Sequence, residues 1–353
     1  PALRWPGDPE PAALIEAPLR RSFPTVRQVT DPDESLAYAE RLGATRATAE
    51  AVAATHAAHR EPALPRTVNW FVPDLDSPFY GGINTALRLA DLLAREHGVE
   101  PRFVVWGRGP EAFIRSALAA AFPALAGADI VLHDGSIGPS LAALPAADAA
   151  IATLWGTAYL VAHFPHAARK FYLVQDFEPE FHPAGTMFAL AEETYRLGLY
   201  GLCNSEPLRR LYEGYGGRAA HFVPAVDPLL FHAKGRTERP EGEPVTVFAY
   251  ARSGHWRNCW ELASVGLRRL KDRLGDKVRI VAAGSWALPP GGQLDGVAHH
   301  LGLLDYRGTA ALYRRCDVGL ALTVSRHPSY LPLELMACGV PVVAFDSPSF
   351  GWL

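Results

Sequence analysis

Residues Ser325 to Val343 read "SRHPSYLPLELMACGVPVV", a polar loop, a short apolar helix with one carboxylate, and a β-branched strand. Gly339 marks the helix stop, because glycine tolerates the left-handed conformation in which helices end. A helix running through such a turn into an apolar strand is the unit of an α/β fold. The lone acid, Glu334, lies early in that helix. There it is either held by the helix dipole as a cap, or accepts hydrogen bonds from a pair of vicinal hydroxyls. Backbone N–H groups around Ser329, Tyr330 and Leu331 are suited to phosphate oxygens.

Working outward, the alternation of apolar strands and amphipathic helices begins at Thr67. "TVNWFVP", "RFVVWG", "DIVLHDG", "AAIATLWG", "KFYLVQD", "YGLCNS" and "HFVPA" read as strands of a Rossmann-like domain over 67–232. The polar, Pro- and Gly-containing segment 233–244 reads as a linker. "VTVFAYA", "VRIVAAG", the end of "LYRRCDVGLALT" and "PVVAFD" then build a second Rossmann-like domain, 245–353, read as cut short. Residues 1–66 read as an N-terminal helical arm with one helical stretch from Glu34 to Arg60. Both chain ends look cut, so a larger polypeptide is expected. The fold class is α/β, two facing doubly wound domains with a cleft between them.

Composition narrows the chemistry. With 34 basic and 37 acidic residues among 353, the formal charge is −3, which gives no field for nucleic acid. The four cysteines are scattered, without a C-x-x-C pair or a His at ligand spacing, so reduced thiols and no metal are expected. No run of 18 apolar residues and no signal peptide is visible; the expected location is the cytoplasm, with peripheral association at the inner membrane face left open. No Ser-His-Asp order, H-E-x-x-H, P-loop or D-x-D pair can be made out.

Several stretches remain as sites. Gly107, Gly109 and Ala112 fit G-x-G-x-x-A, with Asp129 or Asp134 as a ribose partner. This would make a nicotinamide-dependent oxidoreductase. It follows the second strand rather than the first, and a structural turn is the preferred reading. Gly81 and Gly82 follow the first strand and open a helix, where backbone N–H groups can approach an anion. Arg252 and Arg257 flank the loop after the first strand of the second domain, and two guanidinium groups there suit a diphosphate. Asp176 and Glu178, with Glu180 and the nearby His163, His166 and His182, either line an acceptor pocket or form a solvated loop.

With "DSPFYGGINTALRLA", "YARSGHWRN" and "PLELMACGVPVVAFD" in these positions, the chain resembles the retaining glycosyltransferases of family 4, which have the GT-B fold. A narrower similarity, carried by "HPSYLPLELM", "KFYLVQDFEPEFHPAG", "ALAEETYRLG" and "FVPAVDPLLF", is to bacterial rhamnosyltransferases of the WsaF type. The resemblance implies a metal-independent hexosyltransferase with no cofactor, whose co-substrate is a nucleoside diphosphate sugar, dTDP-L-rhamnose by preference. Its acceptor would be a glycan or lipid-linked glycan in bacterial surface polysaccharide synthesis. It implies Glu334 on the donor ribose, Arg252 and Arg257 on the diphosphate, and Gly81 and Gly82 facing it from across the cleft. It also implies Gly302 and Leu303 at the nucleobase. The family has a second Glu eight residues before the ribose ligand; here that position is Arg326. This departure keeps open a non-catalytic sugar-nucleotide or glycan-binding module of a larger assembly protein.

Overall fold

The computed structural model describes residues 32–74, 81–107, 109–252, 256–285, 294–327 and 329–346. The first half of the expected arm, residues 75–80, residues 253–255 between Arg252 and Arg257, and Pro328 lie outside them. Two parallel sheets organise the chain. The first comprises β1 (Thr67–Pro73), β2 (Glu100–Trp106), β3 (Asp129–His133), β4 (Ala147–Ala152), β5 (Ala167–Val174), β6 (Tyr200–Cys203) and β7 (Arg218–His221). Their spatial order is β3-β2-β1-β4-β5-β6-β7. The second comprises β8 (Val245–Tyr250), β9 (Val278–Ala283), β10 (His299–His300), β11 (Val318–Ala321) and β12 (Val342–Ala344), in the order β10-β9-β8-β11-β12. Each sheet has a switch point, between β1 and β4 and between β8 and β11, where the strand order reverses. At such points a doubly wound sheet opens a crevice beyond the carboxyl ends of its strands.

The sheets form because their strands are apolar on both faces. From Val68 to Val72, β1 is buried throughout, with Trp70, Phe71 and Val72 at 1% exposure or less. Helices cover both sides, as expected of parallel strands. Asn69, the polar exception inside β1, donates to the Pro145 carbonyl at 2.9 Å and accepts from Arg102 Nη1 at 2.9 Å, so its burial leaves both ends of the amide satisfied.

Four expectations are corrected. The single helical stretch in the arm is two helices, Pro32–Arg41 and Arg46–Ala58, broken at "LGAT" where Thr45 caps the second through the Thr48 N–H and hydroxyl. The described part of the arm is not an appendage: Leu42 and Val52 are at most 1% exposed in the first domain's core, and Tyr38 lies 5.8 Å from Trp106 and 5.7 Å from Trp155. "AAIATLWG" stops being strand at Ala152: the Thr153 N–H still reaches the Phe71 carbonyl at 3.1 Å but is shared with the Thr157 hydroxyl, which also takes the Leu154 N–H at 3.1 Å as the helix Trp155–His163 begins. "HFVPA" contributes only His221 to β7. Phe222 still donates to the Cys203 carbonyl at 3.0 Å, and then Pro224, without an N–H, ends the ladder.

Phe222 packs in the first domain's core, whereas Val226, Leu230 and Phe231 pack in the second's. The chain therefore crosses between the domains ahead of the polar segment 233–244. The G-x-G candidate is a packing turn. A Cβ at Gly107 would lie 2.5 Å from Asp74 Cγ, and one at Gly109 3.0 Å from Asp74 Oδ1.

Candidate functional site

The carboxyl ends of the two sheets face one cavity of about 250 Å³. From the first domain, Gly82 follows β1, Gln175 and Asp176 follow β5, and Asn204 follows β6. From the second, Arg252 and Arg257 follow β8, Gly284 follows β9, and Ser325, His327, Ser329, Tyr330, Leu331 and Glu334 follow β11. Arg252, Arg257, Leu303, Ser329, Tyr330, Leu331 and Glu334, expected on the donor side, all line it.

Glu334 sits in the first turn of the helix Leu331–Ala337, and its N–H donates to the Tyr330 carbonyl at 2.9 Å. The helix ends as the sequence implies. Gly339 has φ 78°, its N–H reaches the Met336 carbonyl at 2.9 Å, and Val340 N–H reaches Leu335 at 3.0 Å. The Glu334 side chain does not cap the helix; the Leu331 N–H goes to Ser329 Oγ at 3.4 Å. Among the described residues nothing hydrogen-bonds the Glu334 carboxylate, which is nevertheless 9% exposed. Burial pushes its pKa up to about 7, against the pull of Arg88 from the helix Gly81–His97. A desolvated carboxylate facing a cavity is an acceptor in search of donors.

The loop before it is tightly built. Ser329 has φ 69°, uncommon for a residue with a side chain, and its N–H donates to His327 Nδ1 at 3.1 Å. That bond fixes the His327 proton on Nε2, and burial lowers the imidazole to about pH 4, so the ring is neutral. Strain held by a buried ring presents the loop's backbone to the cavity in one conformation.

The domains meet through side chains at the cavity. Arg257 ion-pairs with Asp176 and lies 3.9 Å over the Phe181 ring. Ser325 Oγ is 2.7 Å from each Asp176 oxygen. Tyr330 OH donates to Asn204 Oδ1 at 3.2 Å, and Arg326 Nε donates to Glu180 Oε1 at 3.0 Å. Arg326 is thus engaged with the first domain.

Other expectations fall unevenly. Gly81 opens its helix, and Gly82 lines the cavity while its carbonyl accepts from Gln175 Nε2 at 2.8 Å. A Cβ on Gly82 would meet Gln175 only at 3.5 Å, so packing does not demand glycine there. Gly302 stands behind the lining, accepting the Gly284 N–H at 3.0 Å, while Leu303 reaches the cavity. Asp176 is at the cavity but Glu178 is not. Glu178 is 2% exposed and turned inward, taking the Tyr172 hydroxyl at 2.8 Å and the Trp155 N–H. The spacing Asp-x-Glu puts the two on different sides of the loop. Sequence reading missed Gln175, Asn204, Gly284 and His327; for the first three the signal available was a polar residue or glycine directly after a strand, whereas His327 lies well beyond the end of β11.

Burial also pushes Glu178 up to about 8, so it is protonated at neutral pH. A raised carboxyl contributes stability below its unfolded pKa that is lost as pH climbs toward the folded value. Glu178→Gln is therefore expected to flatten the decline in melting temperature between about pH 5 and pH 8. Parallel melting curves for the two proteins across that range would disprove it.

Among the described residues no group of three or more His, Cys, Asp or Glu is arranged to hold a metal ion, and no helix is long and apolar enough to cross a membrane. The family models for the WsaF N-terminal and C-terminal domains match residues 67–200 and 245–348, together more than half of the chain. The O-antigen biosynthesis protein RfbC of Myxococcus xanthus is 42% identical over 363 aligned positions. That match takes in 99% of this chain and 28% of RfbC, so the chain spans little more than a quarter of that relative. Among solved structures, sucrose-phosphate synthase from Thermosynechococcus elongatus superposes with a TM-score of 0.55 at 12% identity, over 81% of this chain and 83% of that one. A glycosyltransferase from Rickettsia africae gives 0.53 at 14% identity over 79% of each chain. The UDP complex of S. aureus MnaA gives 0.53 at 12% identity over 80% of each. At these identities the likeness concerns the fold, which is GT-B.

Proposed function

We propose that the chain, which belongs to the WsaF family, is a glycosyltransferase that moves a sugar from a nucleoside diphosphate donor to a glycan acceptor in bacterial surface polysaccharide assembly. The observation that carries this is Glu334, a buried carboxylate without a hydrogen bond among the described residues, on a cavity that also holds Arg252 and Arg257. Two carboxylate oxygens match two ribose hydroxyls, and the guanidinium groups match a diphosphate. The similarity to RfbC, an O-antigen biosynthesis protein, supports the polysaccharide setting.

The finer reading is L-rhamnose from dTDP, transferred with retention in the cytoplasm. In that reading the acceptor attacks on the face the diphosphate leaves, and the leaving phosphate oxygen takes the acceptor proton. Arg252, Arg257 and the strained Ser329 loop stabilise the leaving charge, so fixed electrostatics replace a protein nucleophile. Ligands that bind only the folded state raise its melting temperature by mass action. A thermal-shift panel is expected to show stabilisation by dTDP above UDP and GDP, and dTDP-L-rhamnose is expected to be consumed when acceptor glycan is added. No shift with any nucleotide would defeat the enzyme reading; a shift with UDP alone would reassign the donor.

A further inference from the structure

Asp176 does more than line an acceptor pocket. Its carboxylate, in a residue 8% exposed, accepts from Arg257 Nη1, from Ser325 Oγ at 2.7 Å, and from the Phe177 N–H at 2.8 Å. The Arg257 guanidinium is sandwiched by the same loop, since Phe181 lies 3.9 Å beneath it, and Glu180 of that loop pairs with Arg326 at 3.0 Å. A single first-domain segment, 176–181, therefore grips two arginines of the second domain. One of them is a cation proposed above to receive the diphosphate.

We propose that Asp176 is a positioning residue that holds Arg257 in the cleft and is exchanged for the donor diphosphate when the donor binds. The inference rests on reading Arg257 as a diphosphate ligand. A diphosphate that takes Arg257 arrives beside a carboxylate of like charge, and the two anions compete for one guanidinium. The exchange is feasible because Asp176 keeps the Ser325 hydroxyl and the Phe177 N–H after Arg257 leaves. A carboxylate with two donors is not an orphaned buried charge. The consequence is directional. Asp176 opposes nucleotide binding, and it aligns Arg257 so that the arginine enters the reaction from one position.

Titration calorimetry of wild type and Asp176→Asn with dTDP, UDP and inorganic pyrophosphate tests this. The variant is expected to bind the nucleotide that wild type prefers about tenfold more tightly, a modest value for removal of one like charge beside an anion. Its donor KM is expected to fall together with kcat, a split that a merely structural residue would not produce. Phe181→Leu keeps both charges and removes the shelf under the guanidinium; its nucleotide affinity is expected to be equal to wild type or tighter. Weaker nucleotide binding in either variant would show that the loop prepares Arg257 for the diphosphate instead of withholding it, and would overturn the proposal, as would unchanged affinity in Asp176→Asn. Wild type that binds none of the probes would overturn the functional reading itself, a result distinct from wild type that binds normally beside an unchanged variant.

Discussion

Glu334→Gln is expected to lose donor turnover while gaining thermal stability above neutral pH. Two hydrogen bonds to a charged acceptor are each worth about 1.5–3 kcal/mol, so their weakening is expected to cut kcat/KM by about a hundredfold or more. The stability sign is opposite. Burial holds the folded carboxyl at about 7, above its ordinary value of 4.5. A raised carboxyl contributes stability that is lost as pH rises toward the folded pKa, so the ionised wild type carries a penalty on the order of 3 kcal/mol at pH 8 that the neutral amide lacks. The melting temperature of the variant should therefore exceed that of wild type at pH 8, and the two should converge near pH 4. Ribose hydroxyls favour the ionised form, so wild-type nucleotide affinity is also expected to weaken as pH falls below about 7, and the variant's to stay level. A helix cap behaves otherwise, losing stability with no change in nucleotide binding. That result would return Glu334 to the capping role the helix position allows.

The stretch around Glu334 was legible because it is local. The turn at Gly339, the helix before it and the strand after it follow from residue preferences within a few positions, and the observed hydrogen bonds of Gly339 and Val340 are the expected ones. The strands of both sheets were legible for the same reason, since apolar runs bounded by polar turns need no partner to be seen. Arg326 was not. Its sequence position suggested an altered sugar site, but its partner, Glu180, is 146 residues away and reaches it only across the domain interface. A separation of 81 residues likewise hid the Asp176–Arg257 pair, although both residues stood among the candidates. Asp176 and Glu178 show the limit on a smaller scale. Two residues apart in one Pro-rich loop, they looked equivalent, yet one turns to the cavity and the other into a ring of tyrosines. What decides such cases is side-chain direction, which a loop without a fixed period does not encode.

Gly284→Ala is expected to be the most damaging single methyl in the second domain. Gly284 follows β9 with φ 133°, in a region closed to side chains, and a Cβ there would lie 2.5 Å from Tyr250 Cε2. Tyr250 ends β8 and lines the cavity, so a ring that gives way moves into the space of the candidate site. Moving the backbone instead would break the 3.0 Å bond from the Gly284 N–H to the Gly302 carbonyl, which ties the β9 turn to the loop that presents Leu303. Backbone strain and overpacking together cost about 3 kcal/mol. In a domain of this size that corresponds to a fall in melting temperature of roughly 10 °C or more. Nucleotide affinity is expected to fall with it, because Tyr250 and Leu303, which both line the cavity, shift, whereas Gly266→Ala, in the helix Trp260–Leu274 where a Cβ meets nothing within 4 Å, should leave both quantities intact. A Gly284→Ala protein that melts with wild type and binds dTDP normally would mean that the β9 turn relaxes without cost, and that Gly302 does not depend on it for its place behind the site.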